Sequence, residues 1–351
     1  SIGYDYRKNP WYGFCKHEST YQENLKVKAE FESLKTLCEK LYEISKELQA
    51  EFGMKFNTLK KARYYREALN LLKDTDVLTP SLFNKEAATY TITAVKKLDD
   101  VSTEILSIKN NLLSEYDEDI FKLDGELCYK KLTRKYTSFL SRLFKKEYKE
   151  IVSDLRLCKK DGKRIDYLQA VVIFEKLFKY QKKVETFSAL EKPVARIFGN
   201  AYDGINTNWH EVTYELNSIC ELSDEVNFGN LTQLSKEQFN SSKQALEKLS
   251  SRMNRAFDVQ AEKVGSLLKN FRANQYNVLS SSFTANIRKC NDCIDNIDKI
   301  ENWCRFDKLL TKISRLDALD FVNFMIDSNL PVKEFVPVFK KIFYSQWTDC
   351  I

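Results

Sequence analysis

The sequence predicts an all-α protein, a helical body carrying a long antiparallel coiled-coil arm, and three observations lead there. Only five prolines and nine glycines stand among 351 residues, below the roughly 5% and 7% of an average protein, so residues that interrupt helices are scarce. Apolar residues recur at alternating spacings of three and four over long stretches, as on a helix with one buried stripe. Capping residues precede several of these runs. No longer repeat and no low-complexity tract is found.

The opening SIGYDYRKNPWYGF mixes aromatics with Gly3, Pro10 and Gly13 and reads as an irregular or strand-like lead-in. A helix is expected from about Thr20, with Leu25, Ala29, Leu34, Leu37, Leu41, Ile44 and Leu48 on one face and Gly53 as its C-terminal cap. A shorter one spans about Thr58 to Lys73, and Pro80 marks the loop Asp74 to Asn84. From Lys85 to Glu115 a heptad seam of Ala94, Leu98, Val101, Ile105, Ile108 and Leu112 needs a helical partner. Past Gly162, Asp166 can cap a helix bearing Ala170, Phe174, Leu177, Val184 and Leu190.

Asn208 with Glu211 has the spacing of a capping box ahead of Trp209, Val212, Leu216 and Ile219. Ser235 with Gln238 opens the longest expected helix, reaching about Ser280, with a return seam of Ile287, Cys290, Ile294, Ile297 and Cys304. Lys85 to Glu115 and Gln238 to Trp303 would build the arm. Short apolar helices fill Arg305 to Ile351. Pro331 suits a first helical turn there. Pro337 demands a kink or a late start, because an interior proline costs about 3 kcal/mol. The expected segments are a lead-in with helices (1–84), a first arm helix (85–126), a basic helical body (127–234), long coiled-coil helices (235–304) and a C-terminal helical segment (305–351).

Charge is concentrated in one place. Tyr129 to Arg164 holds 13 Lys and Arg against four acids, a net of +9, whereas the whole chain is +6, so the remainder sums to −3. Tyr129, Tyr136, Phe139, Phe144 and Tyr148 are interleaved with the cations. Lysine and arginine neutralise phosphates and aromatic faces stack on unpaired bases, so Lys131, Arg134, Lys135, Arg142, Lys145, Lys146 and Lys149 are the candidate DNA or RNA contacts. The same pattern fits a helix whose Phe139, Leu143, Phe144 and Ile151 face a core while Lys145, Lys146 and Lys149 stay solvated, with the aromatics as core. Both readings stand at this point.

Other chemistry finds little support. A phosphate-binding GxxxxGK[ST] loop is absent, and Asp161 to Arg164 reads as a polar interhelical turn. Cys290 and Cys293 form a CxxC with Cys304 further on, but structural zinc wants four ligands and no histidine is near, so these read as reduced, buried thiols. His17 and His210 are the two histidines, leaving few players for acid–base work. Glu115, Asp117, Glu118, Asp119 and Asp124 read as a solvated helix end. No catalytic or metal-ligating residue is assigned. Nine cysteines without a disulfide scaffold, and no apolar run of membrane length, suggest a reduced, cytoplasmic, soluble protein with no membrane partner. The chain opens on Ser1 and closes on WTDCI, and is expected to be part of a longer protein.

Several short patterns, taken in order, resemble the helical region of large bacterial helicase-like ATPases of superfamily one. PWYGF (Pro10 to Phe14) is similar to that family's HPW-x-G motif, with Asn9 in place of His, and FLSRLFKKEYK (Phe139 to Lys149) to its Arg-Leu-Phe segment and basic helix. TNWHEV (Thr207 to Val212) resembles a Thr-Asp-Trp helix start, with Asn208 for Asp, and FYSQWTD (Phe343 to Asp349) a Phe-Tyr-x-x-Trp ending. The resemblance implies a non-catalytic insertion or arm that guides nucleic acid or transmits nucleotide-driven motion. It also implies that no cofactor binds here, and that ATP and Mg are held by motor domains of the same polypeptide. A coiled-coil module that docks a partner protein, without nucleic acid, is the alternative.

Overall fold

A computed structural model describes residues 5–15, 20–75, 79–198 and 202–349. Among these there are 13 α-helices and no strand. The chain divides into two compact units, Ser1–Lys73 with Lys243–Ile351, and Asp74–Ser242. His17 and Gly199 lie outside the described residues.

In the first unit, α1 (Tyr21–Phe52) starts where Thr20 accepts from the Glu23 N–H and stops where Gly53 turns left-handed at φ 69°. Its buried stripe runs from Val27 and Phe31 to Leu48 and Phe52, so that Leu25, expected on this face, is exposed and Ala29 is only half-buried. The helix α2 (Leu59–Asp74) follows. The lead-in is a short 3-10 turn, Tyr6–Lys8, followed by a single antiparallel bridge between Phe14 and Phe271. Trp11, Phe14 and Phe31 are almost fully buried and, with Phe271, pack mainly edge to face, an arrangement that aromatic quadrupoles favour. The indole of Trp11 donates from Nε1 to Asn296 O at 3.1 Å, and Trp303 Nε1 anchors the cluster from outside by donating to Phe14 O at 2.8 Å.

That cluster accounts for an early helix end. The helix α9 (Lys236–Leu268) was expected to continue to about Ser280. Instead Arg272 N donates to Gly13 O at 2.8 Å and Cys15 N to Asn270 O at 2.9 Å. The Arg272 side chain meets Asp307 with two 2.8 Å hydrogen bonds. Tertiary partners for this backbone outcompete another turn of helix.

The return helix is α10 (Phe283–Asp295), whose partner is α1. Its buried positions are Phe283, Asn286, Cys290 and Cys293, so the seam is offset from the expected Ile287 and Ile294. Cys293 Sγ donates to Pro10 O, and burial pushes its thiol up to about 12; burial also raises Cys290. Both are protonated packing groups at neutral pH. The unit continues with α11 (Ile300–Arg315), α12 (Leu319–Asp327) and α13 (Phe335–Asp349). Pro331 precedes a 3-10 turn, and Pro337 is the third residue of α13, within the first turn where its missing N–H has no intrahelical acceptor to lose.

In the second unit, α3 (Lys85–Glu115) is capped by Asn84. Next come α4 (Gly125–Arg134), α5 (Phe139–Leu143), α6 (Lys146–Leu157), α7 (Tyr167–Phe198) and α8 (Trp209–Leu222). The buried stripe of α3 comprises Ala88, Thr91, Val95, Leu98, Ser102, Ile105 and Leu112. Heptad spacing is kept, with Val95 and Ser102 in place of the expected Ala94 and Val101.

The partners of α3 are α7 and α8. Lys176 reaches Asn111 and Lys183 reaches Glu104, while Lys85 meets Asp224 just past α8 and Thr89 meets Cys220 within it, so both partners run antiparallel to α3. These two helices bury the seam that was expected, with Gln238 to Trp303, to build a coiled-coil arm. A heptad stripe states that a face needs covering without stating by which helix.

The helix α4 also lies on α7, at a contact only glycine allows. A Cβ on Gly125 would fall 2.7 Å from Phe178 N and 2.9 Å from Leu177 C. Gln181 ties the same corner, accepting from Gly125 N at 3.0 Å and donating to Leu123 O at 2.8 Å. The Asp161 to Arg164 segment is a turn, with Gly162 at φ 61° and its carbonyl accepting from Arg156.

Candidate functional site

The basic segment is built on a small core. Leu132, Tyr136, Ile151 and Leu155 point inward with Leu112, Tyr116, Ile120 and Phe174. Tyr136 and Ile151 are the inward anchors on either side of α5. Between them the chain loops outward, because the five-residue α5 buries none of its side chains. Phe139 is 67% exposed, Leu140 68%, Leu143 45% and Phe144 76%. The reading in which Phe139, Leu143 and Phe144 face the core is thus corrected: of that set only Ile151 does so. The aromatics divide likewise, Tyr136 being core while Tyr129 and Tyr148 pack partly buried against it.

The seven candidate cations fall into three groups. Lys131 and Lys135, one turn apart at the end of α4, both turn to Glu147 in the first turn of α6, at 2.7 and 2.6 Å. The Tyr136 hydroxyl donates a short hydrogen bond to the same carboxylate. Lys131 foremost, then Lys135 and Tyr136, hold the Glu147 carboxyl down at about 2. A carboxyl lowered in this way keeps its contribution above its ordinary range and loses it only as pH falls toward about 2.

Arg142 forms the second group, its guanidinium 4.1 Å from the centroid of the Tyr167 ring, a cation–π contact that fixes the fork at the base of α5. Arg134, Lys145, Lys146 and Lys149 form the third, and all four are exposed. Lys146 reaches Glu150 at 3.5 Å, a distance and exposure at which an ion pair contributes little. Arg134, Lys145 and Lys149 make no ion pair among the described residues.

The start of α6 is electrostatically unusual. Its N-cap residue is Lys145, which supplies no side-chain hydrogen bond to the free N–H groups. Lys146 and Lys149 follow within the first turn. Helix N-termini carry positive partial charge and normally attract acids; Glu147 is the acid of this first turn, but its carboxylate is engaged by Lys131 and Lys135, and the flanking lysines add to the positive field. Free N–H groups at such an end bind anions, and here the flanking lysines strengthen the attraction.

Sequence reasoning found the cations and missed two features. The exposure of Phe139 and Phe144 has no periodic signature in so short a helix. The Glu147 contact did leave a trace, since Glu147 is the first acid after Glu126 in a run rich in Lys and Arg. No family model, curated protein or solved structure matches the chain.

Proposed function

We propose that this chain is a non-catalytic helical accessory region of an ATP-dependent helicase-like or translocase-like protein, and that residues 134–149 form its nucleic-acid contact, favouring unpaired strands. The observation that supports this reading is the uncapped, lysine-flanked start of α6 beside the exposed rings of Phe139 and Phe144. Cations and free helix N–H groups suit phosphates, and exposed rings suit bases that are not already stacked in a duplex. In this reading ATP and magnesium belong to motor domains of the same polypeptide, as the resemblance implies.

Binding of labelled single- and double-stranded DNA and RNA across a salt series tests it. Stacking contributes about 1–3 kcal/mol per base, so replacing Phe139 and Phe144 together by Ala is expected to weaken single-strand binding at least about 10-fold while leaving duplex binding nearly unchanged. Equal losses for both, or no loss, would remove the preference for unpaired strands.

A second reading rests on Leu140 and Leu143, which are exposed like the rings but cannot stack. They suit docking of a partner protein. Capture of a protein partner that persists after charge reversal at Lys145, Lys146 and Lys149 would favour it.

A further inference from the structure

We propose that Lys131, Lys135 and the Tyr136 hydroxyl form a phosphodiester-binding subsite that Glu147 fills in the free protein. The inference rests on the nucleic-acid reading and adds to it a site and its control. Three donors converge on one carboxylate, Lys131 Nζ on Oε1 at 2.7 Å and Lys135 Nζ with the Tyr136 hydroxyl on Oε2. Convergent charge-assisted donors of this kind also suit a phosphodiester, which, like a carboxylate, shares one negative charge over two hydrogen-bond-accepting oxygens.

The position of the contact makes an exchange feasible. The Glu147 side chain is 36% exposed, and those of Lys131 and Lys135 are 30% and 57% exposed, so a ligand can reach these three from solvent, whereas the hydroxyl of the buried Tyr136 is offered to it only as Glu147 leaves. Glu147 lies two residues after Lys145 and two before Lys149. A strand held by those lysines therefore presents its next phosphates at high local concentration, and its competition with the tethered carboxylate becomes intramolecular on both sides.

Exchange would have two consequences. Two further lysines would be recruited to the strand. The contact linking α4 to the first turn of α6 would also open, and it brackets the segment that carries Phe139 and Phe144. Glu147 would thus act as an internal stand-in for phosphate that weakens casual binding and yields to a strand seated on α6.

The test measures binding of a fluorescent oligothymidylate to the full chain across a salt series, comparing the unmodified protein, Glu147→Gln, Lys131→Gln/Lys135→Gln, and the triple variant. Glu147→Gln is expected to raise affinity about 10-fold at low salt. It should also steepen the log–log salt slope by about 1.4, two contacts at about 0.7 each on single strands. The triple variant should lose this gain, and Lys131→Gln/Lys135→Gln alone should stay near the unmodified protein.

Glu147→Asp, which retains the charge on a stem one methylene shorter and so loosens its hold on the two lysines, should give a smaller slope change in the same direction and serves if the Gln variant unfolds. Unmodified protein that binds while Glu147→Gln leaves affinity and slope unchanged overturns the inference, as does a gain that survives loss of both lysines. If no variant binds the oligonucleotide, the nucleic-acid reading fails. Titration with inorganic pyrophosphate, followed by NMR, then decides the subsite separately. Shifts at Lys131 and Lys135 that appear in Glu147→Gln but not in the unmodified protein uphold it, and their absence removes it.

Discussion

Reversing Lys145, Lys146 and Lys149 to Glu is expected to reduce nucleic-acid binding at least about 100-fold at low salt. Three lost single-strand phosphate contacts flatten the log–log salt slope by about 2, and the three new carboxylates repel the strand. The fold should survive, since these side chains are exposed and the inward residues of α6, Ile151 and Leu155, are untouched. An unchanged unfolding midpoint alongside the lost binding, measured on the same preparation, would place the effect at the interface. Arg142 is kept out of this set because its guanidinium packs on Tyr167, and its loss would disturb the presentation of α5 as well as the charge.

The largest stability effect is expected far from that face in sequence, at Arg272→Leu. Asp307 is 2% exposed and receives both terminal nitrogens of Arg272 at 2.8 Å. Removing the guanidinium leaves a buried carboxylate without its counter-charge, which typically costs about 3–5 kcal/mol. Chemical denaturation should show a loss of that order. Replacing Asp307 by Leu in the same chain should recover much of it, because an apolar pair of similar volume needs no compensation. If the single variant loses under about 1 kcal/mol, the pair is not a main reason that the chain leaves the helix after Leu268.

Much of the fold was legible because helix ends are written locally. Thr20, Asn84 and Asn208 cap where their side chains suggest, and Ser235 and Gln238 exchange the reciprocal hydrogen bonds of a capping box. Pairing was less legible. The α3 stripe is satisfied by α7 and α8, and no residue in it specifies those partners over another amphipathic helix. The end of α9 was hidden for a related reason, since Phe271 continues the apolar spacing although its ring belongs to the cluster around Phe14 and Phe31.

Proline scarcity was informative without being absolute. Pro193 lies inside α7, where it withholds one backbone hydrogen bond and the helix continues.

At the candidate site, the residue types were visible and their exposure was not. Tyr136 and Phe139 are both aromatic and only three residues apart, yet one is fully buried and the other 67% exposed. The difference arises because Tyr136 ends the turn after α4 over the core, whereas α5 is too short to bring a stripe back to it. Glu147 shows the converse. As an acid in a basic segment it reads as charge dilution, but its place in the first turn of α6 lets it meet two lysines of α4 at once.

Photocrosslinking of a single-stranded oligonucleotide carrying 5-iodouracil to the full chain, followed by peptide mapping, tests the proposed interface most directly. Adducts at Phe139 or Phe144, suppressed by charge reversal at Lys145, Lys146 and Lys149, are the expected result. Adducts confined to another segment, or none under conditions where the oligonucleotide is bound, would contradict it.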